Sequence, residues 1–282
     1  MEAEKLEHAE IEVKSGGKKR GSGTRGRSSL RIMAVRNISD NYQLSLSTDD
    51  KKNVNIIVGR CGSGKTTLFN KIKSCLAHPE DDCGIELELS EKTDCDVDYV
   101  CVGEDETYPE DIFKRINRSG FAEDALTGIV KRTNQMLQDI HGVFDNERNL
   151  PQLKNGKITV LGSLAAGPQT ILSFALLIAL RKQKGVESPL IVDSGDLDRV
   201  VNVFQRRLVQ MIADNTAQCL IFCSDVWVMY ASPDDPFDHA SRSISLYEDM
   251  KNNGILGSVY ELDTDSSGKT GSVRPIFTNF GH

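Results

Sequence analysis

The sequence predicts an α/β protein, a mixed central sheet flanked by helices, and three observations carry that prediction. Short β-rich apolar runs alternate with stretches of helical spacing along most of the chain. The runs at 54–58, 190–192 and 219–223 are apolar at nearly every position, as strands covered on both faces must be. A glycine-rich turn joins the first of these runs to a helix-periodic segment.

Taken in order, residues 30–37 and 42–47 read as two strands with a turn at 39–41, and 54–58 as a buried strand. Apolar spacing of Leu68, Ile72, Cys75 and Leu76 makes 65–76 a helix. Residues 79–111 read as an acidic excursion holding short β runs at 85–89 and 99–102. Helices are predicted at 111–116 and 122–140, a strand at 157–161 after an Asn155-Gly156 turn, and a strongly apolar helix at 169–180. Strand 190–192, helix 197–213 and strand 219–223 follow, and strands 259–264 and 273–277 close the chain as a hairpin.

Composition narrows the class. With 282 residues, 39 % of them apolar and 27 % charged, the chain can bury a sizeable core. It is not collagen, an acidic disordered tail or a disulfide miniprotein. Its apolar runs fall short of the roughly 20 residues of a membrane span, and residues 1–13 are acidic, unlike a secretory leader. The seven cysteines include no C-x-x-C pair, which fits a reducing, cytoplasmic setting. The net charge of −7 excludes a uniformly basic nucleic-acid binder. That figure averages a basic arm with an acidic segment: 14–36 carries eight Lys or Arg and no acid, and 80–111 carries fourteen acids and one Lys. The arm reads either as a solvated tail or as a phosphate-neutralising one.

Residues 59–66 read G-R-C-G-S-G-K-T, a full match to G-x-x-x-x-G-K-[ST] between a strand and a helix. Gly59, Gly62 and Gly64 let backbone N–H groups of Arg60, Cys61, Ser63 and their neighbours close around phosphate oxygens. The helix N-terminus, running into Thr67, adds its positive dipole end. Lys65 supplies a charge to the β- and γ-phosphates, and Thr66 a hydroxyl for Mg²⁺. ATP and Mg²⁺ are therefore the expected cofactors of a P-loop NTPase. A second expected element, an apolar strand ending in a carboxylate, is met by P-L-I-V-D at 189–193, and Asp193 becomes a metal-holding candidate.

From Leu161 onward the order of segments is informative. L-A-A-G-P-Q at 164–169 precedes a long apolar helix, then come L-I-V-D-S-G-D-L-D, a helix, and C-L-I-F-C-S-D. This order resembles an ABC-type ATPase head of the SMC/RecF/SbcC branch, which acts in DNA repair and defence. Ser194 after Asp193, the Ser224-Asp225 pair and the closing hairpin are most similar to the DndD-like ATPases of DNA sulfur modification. The resemblance covers residues 29–282, behind a flexible basic tail at 1–28. It implies that Ala165 and Gly167 stand in a signature that covers ATP held by another head. Leu197-Asp198 matches the D-loop, and residues 122–152 stand where this branch carries its coiled coil.

The departures from that pattern are specific. Ala165 replaces the signature serine, Ser194 replaces the usual catalytic glutamate, and no switch histidine is present. Asp196, in the shortened gap between Asp193 and Asp198, is the remaining candidate general base, so Lys65, Asp193 and Asp196 form the expected catalytic set. The leading reading is an ATP-binding, slowly hydrolysing head acting in DNA metabolism through ATP-dependent dimerisation with itself or a related head. Double-stranded DNA and a nuclease or defence subunit are candidate partners, and no membrane is. The alternative is a non-catalytic, nucleotide-sensing subunit docked on another ATPase or nuclease. A kinase or GTPase is disfavoured, because no arginine-bearing lid or base-reading motif is found. Cys219 and Cys223 share one strand face and read as core; His78, His141 and His239 are isolated; Trp227 and Tyr230 read as local packing.

Overall fold

A computed structural model describes residues 30–78, 82–90, 100–102, 109–138, 140, 142, 144–185, 188–193, 200, 202–224, 246–264 and 270–278. The strands are β1 (Ile32–Asn37), β2 (Tyr42–Ser45), β3 (Val54–Gly59), β4 (Ile85–Leu89), β5 (Val100–Val102), β6 (Gln152–Lys154), β7 (Lys157–Thr159), β8 (Leu190–Val192), β9 (Cys219–Ser224), β10 (Leu256–Thr264) and β11 (Thr270–Thr278). The helices are α1 (Lys65–Ala77), α2 (Pro109–Arg118), α3 (Glu123–Gln138), α4 (Ala166–Lys184), α5 (Asn202–Asn215) and α6 (Leu246–Asn252).

Six strands make the central sheet in the order β11-β10-β3-β9-β8-β5. Neighbours from β10 to β5 run parallel and β11 is antiparallel to β10, so the sheet is mixed, as expected. Side chains alternate across it with the period of a strand. Val54, Ile56 and Val58 of β3, Cys219, Ile221 and Cys223 of β9, and Leu190 and Val192 of β8 enter one core with α2, α3, α4 and α5. Ile57, Leu220, Phe222 and Ile191, from the intervening positions, enter a second core with Leu68, Phe69 and Ile72 of α1. There the Phe69 and Phe222 rings meet edge to face, with centroids 5.7 Å apart.

The second core is closed by a smaller antiparallel sheet, β2-β1-β4, through Ile32, Val35, Leu44 and Ile85. Two buried amides, Asn55 and Gln218, tie it to the central sheet, and a third, Asn53, ties the start of β3 to the end of α5. Asn55 accepts from Ser47 N at 2.8 Å and donates to Ser47 O at 3.1 Å. Gln218 exchanges two hydrogen bonds with the Ile32 backbone, and Asn53 donates to Ala213 O and Thr216 O. These groups are fully covered, so each hydrogen bond offsets a desolvation cost.

Helix α4 is buried from Thr170 through Arg181 without a break, which explains its lack of a polar stripe. It begins earlier than its apolar run, since Ala166, Gly167 and Pro168 already lie in its first turn. Helix α3 spans Glu123–Gln138 and packs on α4 through Ile129, Leu126 and Leu137. The Asn155-Gly156 turn, with positive φ at both residues, joins β7 to a strand that its polar sequence hid, β6. The short runs within 79–111 are sheet members: β4 pairs with β1, and β5 forms the edge of the central sheet beside β8. Among the described residues no helix is long and apolar enough to cross a membrane.

Candidate functional site

The residues at 59–66 form a tight loop at the C-terminal end of β3, where the parallel strands of an open sheet leave room for a ligand. Gly59 tolerates no side chain. A Cβ there would stand 2.3 Å from Ser63 Oγ and 2.6 Å from the Leu262 carbonyl. Gly62 and Gly64 hold φ of +85° and +88°, a left-handed backbone that other residues adopt only with strain. Ser63 N donates to Arg60 O at 3.1 Å, which closes the turn, and Leu68 N donates to Gly64 O at 2.9 Å, which starts α1. No side chain caps that helix, and its positive end faces the loop.

Lys65 is 9 % exposed, and its ammonium donates to the carbonyls of Gly59 and Arg60 and lies 3.5 Å from Ser63 Oγ. A buried ammonium needs such partners. The same geometry holds a positive charge directly under the loop. Ser63 is buried, while Arg60, Cys61, Gly62, Thr66 and Thr67 are exposed around the rim. The residues fit a polyphosphate: a cradle closed to side chains, a held cation and an uncapped helix start. Exposed Thr66, in the first turn of α1, fits a hydroxyl ligand for Mg²⁺.

Asp193 is the first residue after β8 and is half-buried at the same edge of the sheet. One strand, β9, lies between β8 and β3, so Asp193 stands two strand spacings, about 10 Å, to the side of the loop. In register, Gly59 is level with Ser224, the last residue of β9. Loop, Ser224 backbone and Asp193 thus line one edge in that order. Candidate base Asp196 lies outside the described residues, as do Ser194, Leu197, Asp198 and Asp225.

Ala165 and Gly167 sit elsewhere, at the start of α4 on the opposite face of the sheet from α1. Ala165 is the N-cap and gives no side-chain hydrogen bond; Gln169 N donates to its carbonyl at 3.0 Å, and Gln169 Nε2 to Leu164 O at 2.9 Å. Ala165 and Ala166 are exposed. The segment before them is held by Gly162, whose N–H donates to Arg148 O at 2.6 Å and whose Cα leaves no room for a Cβ beside Asn149. The exposed, uncapped helix start is a second anion-competent surface.

Cys219 and Cys223 are buried in the first core, as expected, and burial pushes the Cys219 thiol far above its ordinary range. His78 is exposed at the end of α1; His141, His239, Trp227, Tyr230 and the basic tail at 1–28 lie outside the described residues. Sequence reasoning missed one proximity near the loop's helix. Cys75 on α1 lies against Cys83, just before β4; only the turn at Gly84 hinted at it.

A family described as an AAA domain matches residues 29–171. No curated protein matches the chain by sequence. Among solved structures, an SMC head domain from Thermotoga maritima is 14 % identical over 88 % of this chain and 100 % of its own, with a TM-score of 0.47. The protein cbiO1 of Clostridium perfringens, part of the ABC transporter complex cbiONQ, is 14 % identical over 86 % of this chain and 87 % of its own, with a TM-score of 0.46. An SMC head bound to the C-terminal winged-helix domain of ScpA is 10 % identical over 88 % of this chain and 98 % of its own, with a TM-score of 0.48.

Proposed function

We propose, from the premise that this chain belongs to the AAA domain family, that it is an ATP-binding, slowly hydrolysing ABC-type head working in DNA metabolism, repair or defence. The observation that carries this reading is the buried Lys65 ammonium, held by the Gly59 and Arg60 carbonyls under a loop that excludes side chains. When polyphosphate enters, the loop carbonyls yield the ammonium to it, because a charged partner makes the stronger hydrogen bond. The backbone N–H groups of 60–66 and the start of α1 then bind phosphate oxygens.

Thr66 and Asp193 are the residues that would hold Mg²⁺, which supplies neutralisation of phosphate charge when bound. Asp193 orients water at the edge of the site, and Asp196 accepts a proton from it. The loss of hydroxyl at Ala165 and of carboxylate at Ser194 fits slow turnover. Ala165, exposed on the far face, and half-buried Gly167 cover the nucleotide of a second head, so that ATP favours the closed dimer through its higher affinity for that state. Residues 29–282 act as this head and 122–152 occupy the place of the coiled coil. The acidic 79–111 is an insertion, and the basic 1–28 tail engages DNA phosphates in the cytoplasm. A nuclease or defence subunit is the protein partner this reading calls for.

The test is nucleotide binding and light scattering of wild type beside Lys65→Ala. Wild type should bind ATP and grow in mass with it, and Lys65→Ala should do neither; equal binding by both sinks the reading. ATPase rate with double-stranded DNA should rise at low salt and fall back at moderate salt. The uncapped Ala165 favours a second reading, a nucleotide-sensing subunit without turnover. Multiple-turnover hydrolysis above an Asp193→Ala control excludes it.

A further inference from the structure

We infer that Cys75 and Cys83 are a reversible dithiol–disulfide pair that staples the end of α1 to the start of β4. Cys83 is a direct side-chain neighbour of Cys75, the Leu87 backbone is another, and both cysteines pack on the same core. A separate contact one helical turn earlier supports the same alignment. A Cβ at Gly84, next to Cys83, would stand 3.5 Å from the Lys71 ammonium. Lys71 and Cys75 share a helix face, so the chain entering β4 runs along that face. Gly84, with φ of +67°, makes the bend, and its carbonyl accepts from Ile38 N at 3.2 Å, fixing the bend to the end of β1.

Both cysteines are half-buried at the rim of the second core and packed against it, so small reagents reach them while the surrounding elements hold them together. Disulfides need close Cβ atoms, and a shared contact between the two thiols puts theirs within reach. Cys219 and Cys223 offer a contrast, being sealed in the first core. Burial, then the neighbouring Cys83, raises the Cys75 thiol above its ordinary value. Exchange at the pair therefore quickens as pH rises.

The oxidant is a low-molecular-weight disulfide. The thiolate of one cysteine attacks it, forming a mixed disulfide and releasing one small thiol. The second cysteine's thiolate attacks the protein-bound sulfur, closes the Cys75–Cys83 bond and releases the second small thiol. The protein gives up two electrons and two protons, and the small disulfide takes both as two thiols. The staple sits about 15 Å along α1 from Lys65, so it restrains the small sheet against α1 at the end away from the phosphate loop.

The experiment incubates the full chain with oxidised glutathione, alkylates remaining thiols, and digests at acidic residues, which cuts between the two cysteines at 80–82. Mass spectrometry should find the Cys75 and Cys83 peptides joined, two hydrogens lighter than their sum. Thermal unfolding should shift upward by several degrees, and dithiothreitol should reverse both changes. Cys75→Ser and Cys83→Ser should each leave a glutathione adduct on the remaining cysteine and lose the upward shift. Wild type carrying only separate adducts overturns the proposal. So does linkage of either residue to Cys61, Cys95 or Cys101, or an upward shift that survives in both single variants.

Discussion

Gln218 pairs with Ile32 as a neighbouring strand would. The Ile32 N–H donates to Gln218 Oε1 at 2.8 Å, and Gln218 Nε2 donates back to the Ile32 carbonyl at 2.9 Å, with a further bond to Ser47 O. One side chain thus supplies a rung between the two sheets, 1 % exposed. Replacing it with Leu leaves backbone groups buried without partners, at about 1–3 kcal/mol each. Gln218→Leu should lower unfolding free energy by about 3 kcal/mol in urea titrations with the slope unchanged. Gln218→Glu, which buries a charge and loses both donors, should cost at least as much.

Gly59 and Gly62 make a discriminating pair. Gly59→Ala pushes a methyl into Ser63 Oγ and the Leu262 carbonyl, and overpacking of this kind costs about 1–3 kcal/mol. It should also weaken ATP binding more than tenfold, since the loop must open to admit the methyl. Gly62→Ala meets no atom within 4 Å and should cost only the left-handed backbone strain of about 1 kcal/mol. Calorimetric titration with ATP on both variants checks the order.

Asp193 lies two strands from the loop, beyond the reach of the cradle itself. Asp193→Ala should therefore keep ATP affinity within about tenfold while turnover falls to background. A wild-type rate retained in Asp193→Ala, measured by phosphate release, would remove this residue from the chemistry.

Tyr260 should make the fold alkali-sensitive. Its hydroxyl donates to Ser45 O at 2.8 Å and accepts from Ser45 N at 3.0 Å, and burial raises its pKa above the ordinary value of 10, outweighing those hydrogen bonds. Tyr42, likewise raised chiefly by burial, adds to the effect. The unfolded chain loses these protons first, so the contribution is full below about pH 10 and declines as pH climbs toward the folded values. Tyr260→Phe should be less stable at pH 7 by about 1 kcal/mol, with a flatter decline above pH 10 in denaturant melts.

The parts readable from sequence were those whose signal is local. The loop at 59–66 needs its glycines and Lys65 in one order, and the strands around Ile57, Ile191 and Phe222 are apolar because both faces are covered. Strand β6 was hidden because it is only three residues long with Leu153 its one apolar member, and its pairing with β7 comes from the turn at Asn155. The start of α4 was placed too late because Ala166, Gly167 and Pro168 lack apolar spacing, although proline suits a first helical turn. The β run at 85–89 was legible inside the acidic stretch and is β4, but its pairing was not: its outward Glu86 and Glu88 face Arg36 across β1. The contact of Cys75 with Cys83 depends on how α1 meets β4, and no spacing rule encodes that.

The position of β3 sets an order of events during synthesis. Both of its sheet neighbours, β9 and β10, come from the C-terminal third of the chain. A nascent chain that has exposed the phosphate loop still lacks either strand that would hold it, and about 200 further residues must emerge. At 5–20 residues per second that is a wait of about 10–40 s. Until β9 arrives the apolar β3 has no edge to pair with, and until β10 follows one of its edges stays open to chaperones and to wrong partners. Chains arrested before residue 264 should be protease-sensitive through the loop, and resistance should appear abruptly once β10 clears the ribosome.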